Sequence, residues 1–402
     1  MKLFIYGLIG LLVLAILVIA IKWKDIGRLL KVNSLFDEDK IVHNFSNMKD
    51  LLLADKLPIS GTKHIWPAVL QPLPETFEYS GQTLNIEDIL KETKTTALIV
   101  VKDGVILFED YYLGTGIDDK RISWSISKSF VSSLVGIALK DGDIKSLDDQ
   151  VTDYAPSLKG SVYEGATLRN VLHMASGAKF NEDYLDKNSD INKMGRALAM
   201  GGSLDDFAAN VKTRARAPGA ARQYCSIDTH VISMVLRAAT GATLQDYFVA
   251  NLWSKIGAGA DAYYTTDGDG NAFALGGLNI RTRDYALFGE LMRNKGFRGN
   301  VEIIPAAWVS ESTANTAPID IEGNPLGYGY QWWTPERSDG EFFAIGIYGQ
   351  YIYVNPKAGV VIAKNSAHRE FMAVDKVPAG HIARNMEMFR SITEHFSDWQ
   401  RK

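Results

Sequence analysis

The sequence predicts an α+β fold: one antiparallel sheet assembled from both ends of the chain, helices over its faces, a mainly helical stretch inserted at one side, and one N-terminal transmembrane helix in front. Three observations carry this expectation. Apolar, β-branched runs occur near residues 96–112 and again at 342–363, the composition of strands. Between them, over about residues 145–275, apolar residues recur mainly at helical spacing or give way to loops. Leu3 to Ile21 is a run of nineteen residues without a charge.

That run, LFIYGLIGLLVLAILVIAI, would span roughly 28 Å as a helix at about 1.5 Å per residue, close to the thickness of a hydrocarbon core. A cleaved signal peptide is the alternative, but its apolar region is normally about 7–15 residues and ends in a small-x-small site. The exit here, Ile19-Ala20-Ile21-Lys22-Trp23, has no such site. Residues 1–25 are therefore read as a single-pass anchor. Lys22, Lys24, Arg28 and Lys31 follow the span and only Lys2 and the terminal amine precede it, so a positive-inside count leans toward a cytoplasmic body. Residues 26–77 are mixed and polar, punctuated by Pro58, Pro67, Pro72 and Pro74; they read as a juxtamembrane connector docking onto the body.

Residues 78–395 form the expected globular domain. Thr96–Val101 and Val105–Tyr112 are strands around a Lys102-Asp103-Gly104 turn. A helix fits 126–140, with Phe130, Leu134, Ile137 and Ala138 on one face and Gly142 as its stop. Helical patterns also cover Val231–Ala239, Leu244–Leu252 and Asp284–Arg293, with a turn-rich loop at Asp267–Asn271. Phe342–Ile347, Tyr351–Val354 and Val360–Ala363 read as antiparallel strands, and Ile382–Phe396 as a closing helix.

Composition removes whole classes of function. With 43 basic and 47 acidic residues the chain carries no polycation for nucleic acid. Its single cysteine permits neither an internal disulfide nor a Cys-rich zinc site. The seven histidines are scattered without metal-ligand spacing, and no glycine-rich phosphate loop is present. No cofactor or metal is expected.

Chemistry concentrates in Ser125-Ile126-Ser127-Lys128 at the start of the 126–140 helix. Residues three apart share a helix face, so the two side chains can meet. Serine is a weak nucleophile until a neighbour takes its proton, and a desolvated lysine can do so. The four letters alone fit a helix cap as well. About a hundred residues on, Tyr224 sits in a Gly/Pro-shaped loop before another helix; a phenol there can relay protons or simply pack. Gly346 and Gly349 interrupt a late strand in Ala344-Ile345-Gly346-Ile347-Tyr348-Gly349-Gln350, marking close approach of a backbone or ligand, or a bulge.

Ser125-x-x-Lys128, Tyr224-x-Ser226 and the late glycine-bearing strand occur in the order of the serine β-lactamase and penicillin-binding-protein superfamily. The chain resembles its class C-related branch, which holds family VIII-type carboxylesterases and 6-aminohexanoate-dimer hydrolases. Leu147-Asp148-Asp149-Gln150-Val151, Leu168–Gly177 and Gly276–Asp284 support the likeness, which covers roughly residues 78–395. The resemblance implies a β-lactamase-like fold and a serine hydrolase acting on ester or small amide bonds. It implies Ser125 as acyl-forming nucleophile, Lys128 as general base, Tyr224 as proton carrier, and the N–H groups of Ser125 and Ile347 as oxyanion hole. Tyr184, Ser226, Gly346 and Tyr348 become candidates to line the substrate site, and His173 a structural residue. Cys225, between Tyr224 and Ser226, would be a thiol handle beside the centre.

Two departures matter. Ser226 stands where the usual Tyr-x-Asn motif has Asn, and Ala344-Ile345-Gly346 replaces Lys-Thr-Gly. Loss of that lysine removes a cation suited to a β-lactam carboxylate, which argues against the alternative reading of a D,D-peptidase or β-lactamase. A non-catalytic binding protein on the same scaffold is a third reading; retention of Ser, Lys and Tyr together speaks against it. Exported relatives with an N-terminal apolar segment favour an inner-membrane anchor with a periplasmic body. The expected partners are a small ester or amide and the membrane.

Overall fold

The structure, a computed structural model, describes residues 2–372 and 379–401, without the side chains of 2, 3, 8, 11–22, 372 and 379. Five of its helices position the site: α1 (Lys2–Asn33), α2 (Ile126–Asp141), α3 (Ser226–Thr240), α4 (Thr282–Arg293) and α5 (Ala379–His395). A hairpin of the main sheet pairs β1 (Thr95–Lys102) with β2 (Val105–Tyr111). Its two-residue turn, Asp103-Gly104, holds φ of 48° and 80°, the mirror-image geometry that follows the natural twist of the strands. β3 (Gly327–Tyr328), β4 (Trp333–Thr334), β5 (Phe342–Gly346), β6 (Gln350–Asn355) and β7 (Val360–Ser366) complete an antiparallel sheet in the order β3-β4-β5-β6-β7-β1-β2. The two ends of the chain meet where β7 pairs with β1, Ile362 opposite Val100.

β6 and β7 are buried along their whole length, because helices cover both faces of the sheet; such strands read as apolar runs rather than alternating ones. On one face α2 and α4 pack over Ile99, Val101, Ile352 and Val361. Phe130 of α2 stacks on Phe288 of α4 at 3.7 Å, and burying each such ring stabilises the fold by about 1.5–3 kcal/mol. On the other face α5 brings Phe389 and Ile392 against Leu98, Val100 and Tyr353. α2 stops at Gly142, whose φ of 83° is the left-handed cap that glycine provides without strain.

A second antiparallel sheet was not anticipated. It orders Ala54–Leu57, Ala262–Thr265, Leu278–Arg281 and Lys120–Ile122. Its strands have four residues or fewer, too short for periodicity to separate them from loop. One strand lies in the segment read as connector and another in the stretch read as helix and loop. The helix expected over Leu244–Leu252 runs only Leu244–Phe248, then widens into a π turn at Val249–Trp253.

The membrane span expected over residues 3–21 is not supported, nor are the inner-membrane placement and periplasmic body that rested on it. Among the described residues no helix is long and apolar enough to cross a membrane; the side chains of 11–22, which include the second half of the run, lie outside them. α1 does not end with the apolar run. It continues to Asn33, and its last turns pack on the body, with Arg28 Nη1 donating to Ala199 O at 3.0 Å and Lys31 Nζ to Asp50 O at 3.1 Å.

α2 packs tightly enough to exclude a methyl group. A Cβ on Gly136 would lie 2.2 Å from Cγ of the Trp308 indole. Gly136→Ala improves helix propensity by about 1 kcal/mol, but forcing aside a rigid ring costs more. The expected net loss is about 1–2 kcal/mol, read as a lower urea midpoint at unchanged slope.

Candidate active site

Ser125 occupies the position just before α2, and its hydroxyl does not cap the helix. Instead Ser125 Oγ accepts a hydrogen bond from Lys128 Nζ at 3.1 Å, as residues three apart at a helix start permit. Trp124, immediately before it, holds φ at 43°, a conformation that costs a non-glycine residue about 1–3 kcal/mol. The short strand ahead of Trp124 is held in the second sheet, where Ser123 N–H donates to Leu278 O at 2.8 Å.

Lys128 is 2% exposed and makes its other hydrogen bond to Leu275 O at 2.8 Å. Burial pulls its ammonium down to about 7; the Glu182 charge opposes the drop, followed by Cys225 and Asp228. Lys128 Nζ also lies 5.4 Å from the centre of the Tyr224 ring. Burial lifts the Tyr224 phenol above the usual range, and the neighbouring Ser125 hydroxyl opposes that rise. The loop that presents it is fixed two residues earlier by the Arg222–Asp320 ion pair, 3.0 Å long and almost wholly buried. The Arg222 guanidinium lies 5.3 Å from both the Tyr328 and Trp333 rings, and Tyr224 stacks on Trp333 at 5.6 Å.

Glu182 accepts the backbone N–H of Ser226, the first residue of α3. Burial raises the Glu182 carboxyl, and the Lys128 charge opposes that rise. Beside it, burial and then the Glu182 charge push the Tyr184 phenol well up. In the first turn of α3, burial pushes the Asp228 carboxyl up to about 7 although it accepts hydrogen bonds from Tyr163 and Ser176.

The third segment is the end of β5. A Cβ on Gly346 would lie 2.4 Å from the Ser123 carbonyl oxygen, so only glycine lets β5 lie flush against the backbone that leads to Ser125. Ile347 follows directly. Among the described residues, neither the N–H of Ser125 nor that of Ile347 has a backbone acceptor. Both residues line a cavity of about 530 Å³ with Tyr184, Tyr224, Trp333 and Phe180.

The positions singled out in the sequence divide on this geometry. Ser125, Tyr224, Tyr184 and Ile347 face the cavity, and Lys128 lies behind Ser125. Ser226 and Gly346 support the walls without lining them. Tyr348 does not line the cavity: at a positive φ of 63° it turns away and stacks on Phe36 at 4.9 Å. Cys225 is 3% exposed with its thiol pushed well above the ordinary range by burial, so it is no reactive handle. His173 packs on Tyr330 and meets Thr316 Oγ1 at 3.1 Å, with burial lowering it to about 4. The sequence reading missed Glu182, Trp333 and the Arg222–Asp320 pair. Glu182 stands two residues before Tyr184, but an acid in a loop is ordinarily solvated.

A serine facing a buried lysine and a tyrosine, at a helix start opening on a cavity, within this sheet-and-helix frame, defines a β-lactamase-like serine hydrolase. Comparison with known proteins agrees. The Beta-lactamase family profile matches residues 85–383. A 6-aminohexanoate-dimer hydrolase of Paenarthrobacter ureafaciens is 30% identical over 328 residues, spanning 78% of this chain and 83% of that protein. The chain belongs to the Beta-lactamase family. Solved structures share its fold, two of them from related hydrolases. One, from Bacillus anthracis and provisionally assigned as a 6-aminohexanoate-dimer hydrolase, superposes with a TM-score of 0.80 at 23% identity, covering 90% of this chain and 95% of that one. A D-stereospecific amidohydrolase from Streptomyces sp. gives 0.55 at 16% identity, covering 71% and 94%.

Gly346→Ala tests the contact between β5 and the Ser123 carbonyl. The strand must retreat to seat the methyl group, and a displacement approaching 1 Å costs on the order of 100-fold in rate. The expected result is a drop of that size in ester turnover, with KM much less affected.

Proposed function

We propose that the protein hydrolyses ester or small amide bonds through an acyl-enzyme on Ser125. The observation that carries this reading is the 3.1 Å contact between Ser125 Oγ and a lysine that burial has brought down to about 7. Near neutral pH a large fraction of Lys128 is the free amine, able to take the Ser125 proton as Oγ bonds to the substrate carbonyl carbon. The carbonyl oxygen gains negative charge and receives the N–H groups of Ser125 and Ile347, with the start of α2 adding a favourable dipole. Tyr224, kept protonated by burial, gives its proton to the departing alkoxide or amine as the tetrahedral intermediate collapses, and the Lys128 ammonium, 5.4 Å from the Tyr224 ring centre, then passes the proton it took from Ser125 to the phenolate, leaving both side chains in their starting forms. Water then attacks the ester on Ser125, losing its proton to the same Tyr–Lys pair, and the acid leaves with Oγ reprotonated.

The curated relative, named for a linear amide dimer, supports substrates of that shape. The cavity walls favour apolar groups flanking the scissile bond, since Phe180, Leu185, Trp333, Ile345 and Ile382 line it. Ala344, on β5 where β-lactamases carry Lys, presents no cation for a β-lactam carboxylate.

The test is a fluorophosphonate probe with a substrate panel of p-nitrophenyl butyrate, the linear 6-aminohexanoate dimer and a chromogenic cephalosporin. Ser125→Ala should abolish labelling and reduce ester turnover by at least about 1,000-fold. Cephalosporin turnover rivalling that of the ester would overturn the preference argued here, and an unlabelled wild type would overturn the chemistry.

pH dependence supplies a second prediction. Because Lys128 must be neutral, kcat/KM should rise with pH through an inflection near 7. The Glu182 charge holds the Lys128 pKa up, so Glu182→Gln should move that inflection to lower pH; a shift upward, or none, would show that the two groups do not act as a pair.

A further inference from the structure

Residues 34–50, the arm that leads from α1 into the body, lie against both backbone segments that flank the cavity donors. Trp124 precedes Ser125, and Tyr348 follows Ile347. Both hold positive φ, 43° and 63°, a region that non-glycine side chains avoid unless the surroundings impose it. Both side chains point away from the cavity into one aromatic cluster with the arm. Phe36 stacks on Tyr348 with ring centres 4.9 Å apart, and Phe45 meets Tyr348 edge-on at 5.4 Å and Trp124 at 5.6 Å. Trp124 and Tyr348 are themselves 5.7 Å apart.

The arm is well anchored there. Leu35, Ile41, Phe45 and Met48 are buried, and Asn44 Nδ2 closes the arm on itself by donating to Leu35 O at 3.0 Å. Arg121, four residues before Ser125, reaches back to hold the arm, donating to Val42 O at 3.3 Å and to Ser46 Oγ. One short segment of chain is thus tied to the strand before the nucleophile, to the residue before the nucleophile, and to the turn after Ile347.

We propose that residues 34–50 act as a positioning clamp on the oxyanion hole, with Phe36 and Phe45 holding Trp124 and Tyr348 in the left-handed conformations that aim the N–H groups of Ser125 and Ile347 at the cavity. The inference rests on the reading of those two N–H groups as the oxyanion donors. The donors flank elements that share no hydrogen-bonded ladder: one sits just before α2, the other just after β5. Packing of Gly346 on Ser123 O sets their approach from the strand side. The ring cluster sets it from the opposite side. The Trp124 torsions direct the peptide that carries the Ser125 N–H, and the Tyr348 conformation shapes the turn that leaves Ile347. Removing an arm ring frees either residue to relax toward negative φ and swings a donor off target.

The experiment uses the full chain, with active sites counted by fluorophosphonate labelling so that misfolded protein does not enter kcat. For Phe36→Ala, kcat on p-nitrophenyl butyrate per labelled site should fall by about tenfold or more, with KM held within about twofold. Inhibition by an alkylboronic acid, whose tetrahedral adduct on Ser125 uses the same donors, should weaken in parallel. Phe36→Tyr, which keeps the stacked ring, should restore both values. Phe45 is 1% exposed, so Phe45→Leu serves there and should show the same pattern in smaller measure. Unchanged kcat per site and unchanged boronate inhibition, with only a lower melting temperature, would reduce the arm to packing and overturn the clamp. Failure of the underlying reading shows separately, as residual turnover by Ser125→Ala or a wild type that the boronate does not inhibit.

Discussion

Lys128 Nζ lies 3.1 Å from Ser125 Oγ in surroundings that exclude water, and much of the architecture follows from keeping that group dry. A lysine in water stays charged far above neutral pH and has no lone pair to offer. Drying it requires a helix buried on every side, and α2 is buried from Ile126 through Ala138. That in turn requires a sheet beneath it and a helical layer above. The acids Glu182 and Asp228 keep the amine from falling further, while burial lifts both of their own carboxyls. The cluster is thus balanced by desolvation against charge, and each member's titration depends on the others.

The parts of this site come from distant stretches of chain. Ser125 sits just before a helix near the first strands of the main sheet, Glu182 and Tyr184 sit in a loop of the helical stretch, Tyr224 precedes α3, and Ile347 follows β5. The β1–β7 pairing brings the late strands beside the early ones, and the buried Arg222–Asp320 pair ties the Tyr224 loop to the segment before β3. A buried ion pair is weak evidence of net stability. Its value here is geometric, because it stacks Tyr224 on Trp333 and holds the phenol toward Ser125.

Where the sequence was legible, the signal was local. The Ser125–Lys128 spacing is a property of any helix, and the Asp103-Gly104 hairpin and the Gly142 stop depend on the conformational freedom of a few residues. Gly346 announced a close approach, and the neighbour is the Ser123 carbonyl oxygen. The resemblance made Tyr348 a candidate for the cavity lining, but a resemblance carries no backbone torsion, and its positive φ turns the ring onto Phe36 instead. Cys225 looked reachable beside Tyr224, but its side chain points into the main core. Glu182 gave no signal, since acids in loops are ordinarily solvated, and its burial follows from α3 beginning at Ser226. The strands of the second sheet, three or four residues each, were invisible for want of length.

By itself, then, the sequence determined the order of the main-sheet strands and the longer helices, the pairing of Ser125 with Lys128 one helical turn apart, and the glycines where backbones must touch. These rest on covalent geometry and short-range periodicity, which neighbouring residues encode completely. Tertiary structure alone decided which polar groups lost their water, which loop side chains met across the cavity, and that the N-terminal arm rests on Trp124 and Tyr348. Desolvation and long-range contact are properties of the packed whole, and no stretch of sequence carries them in advance.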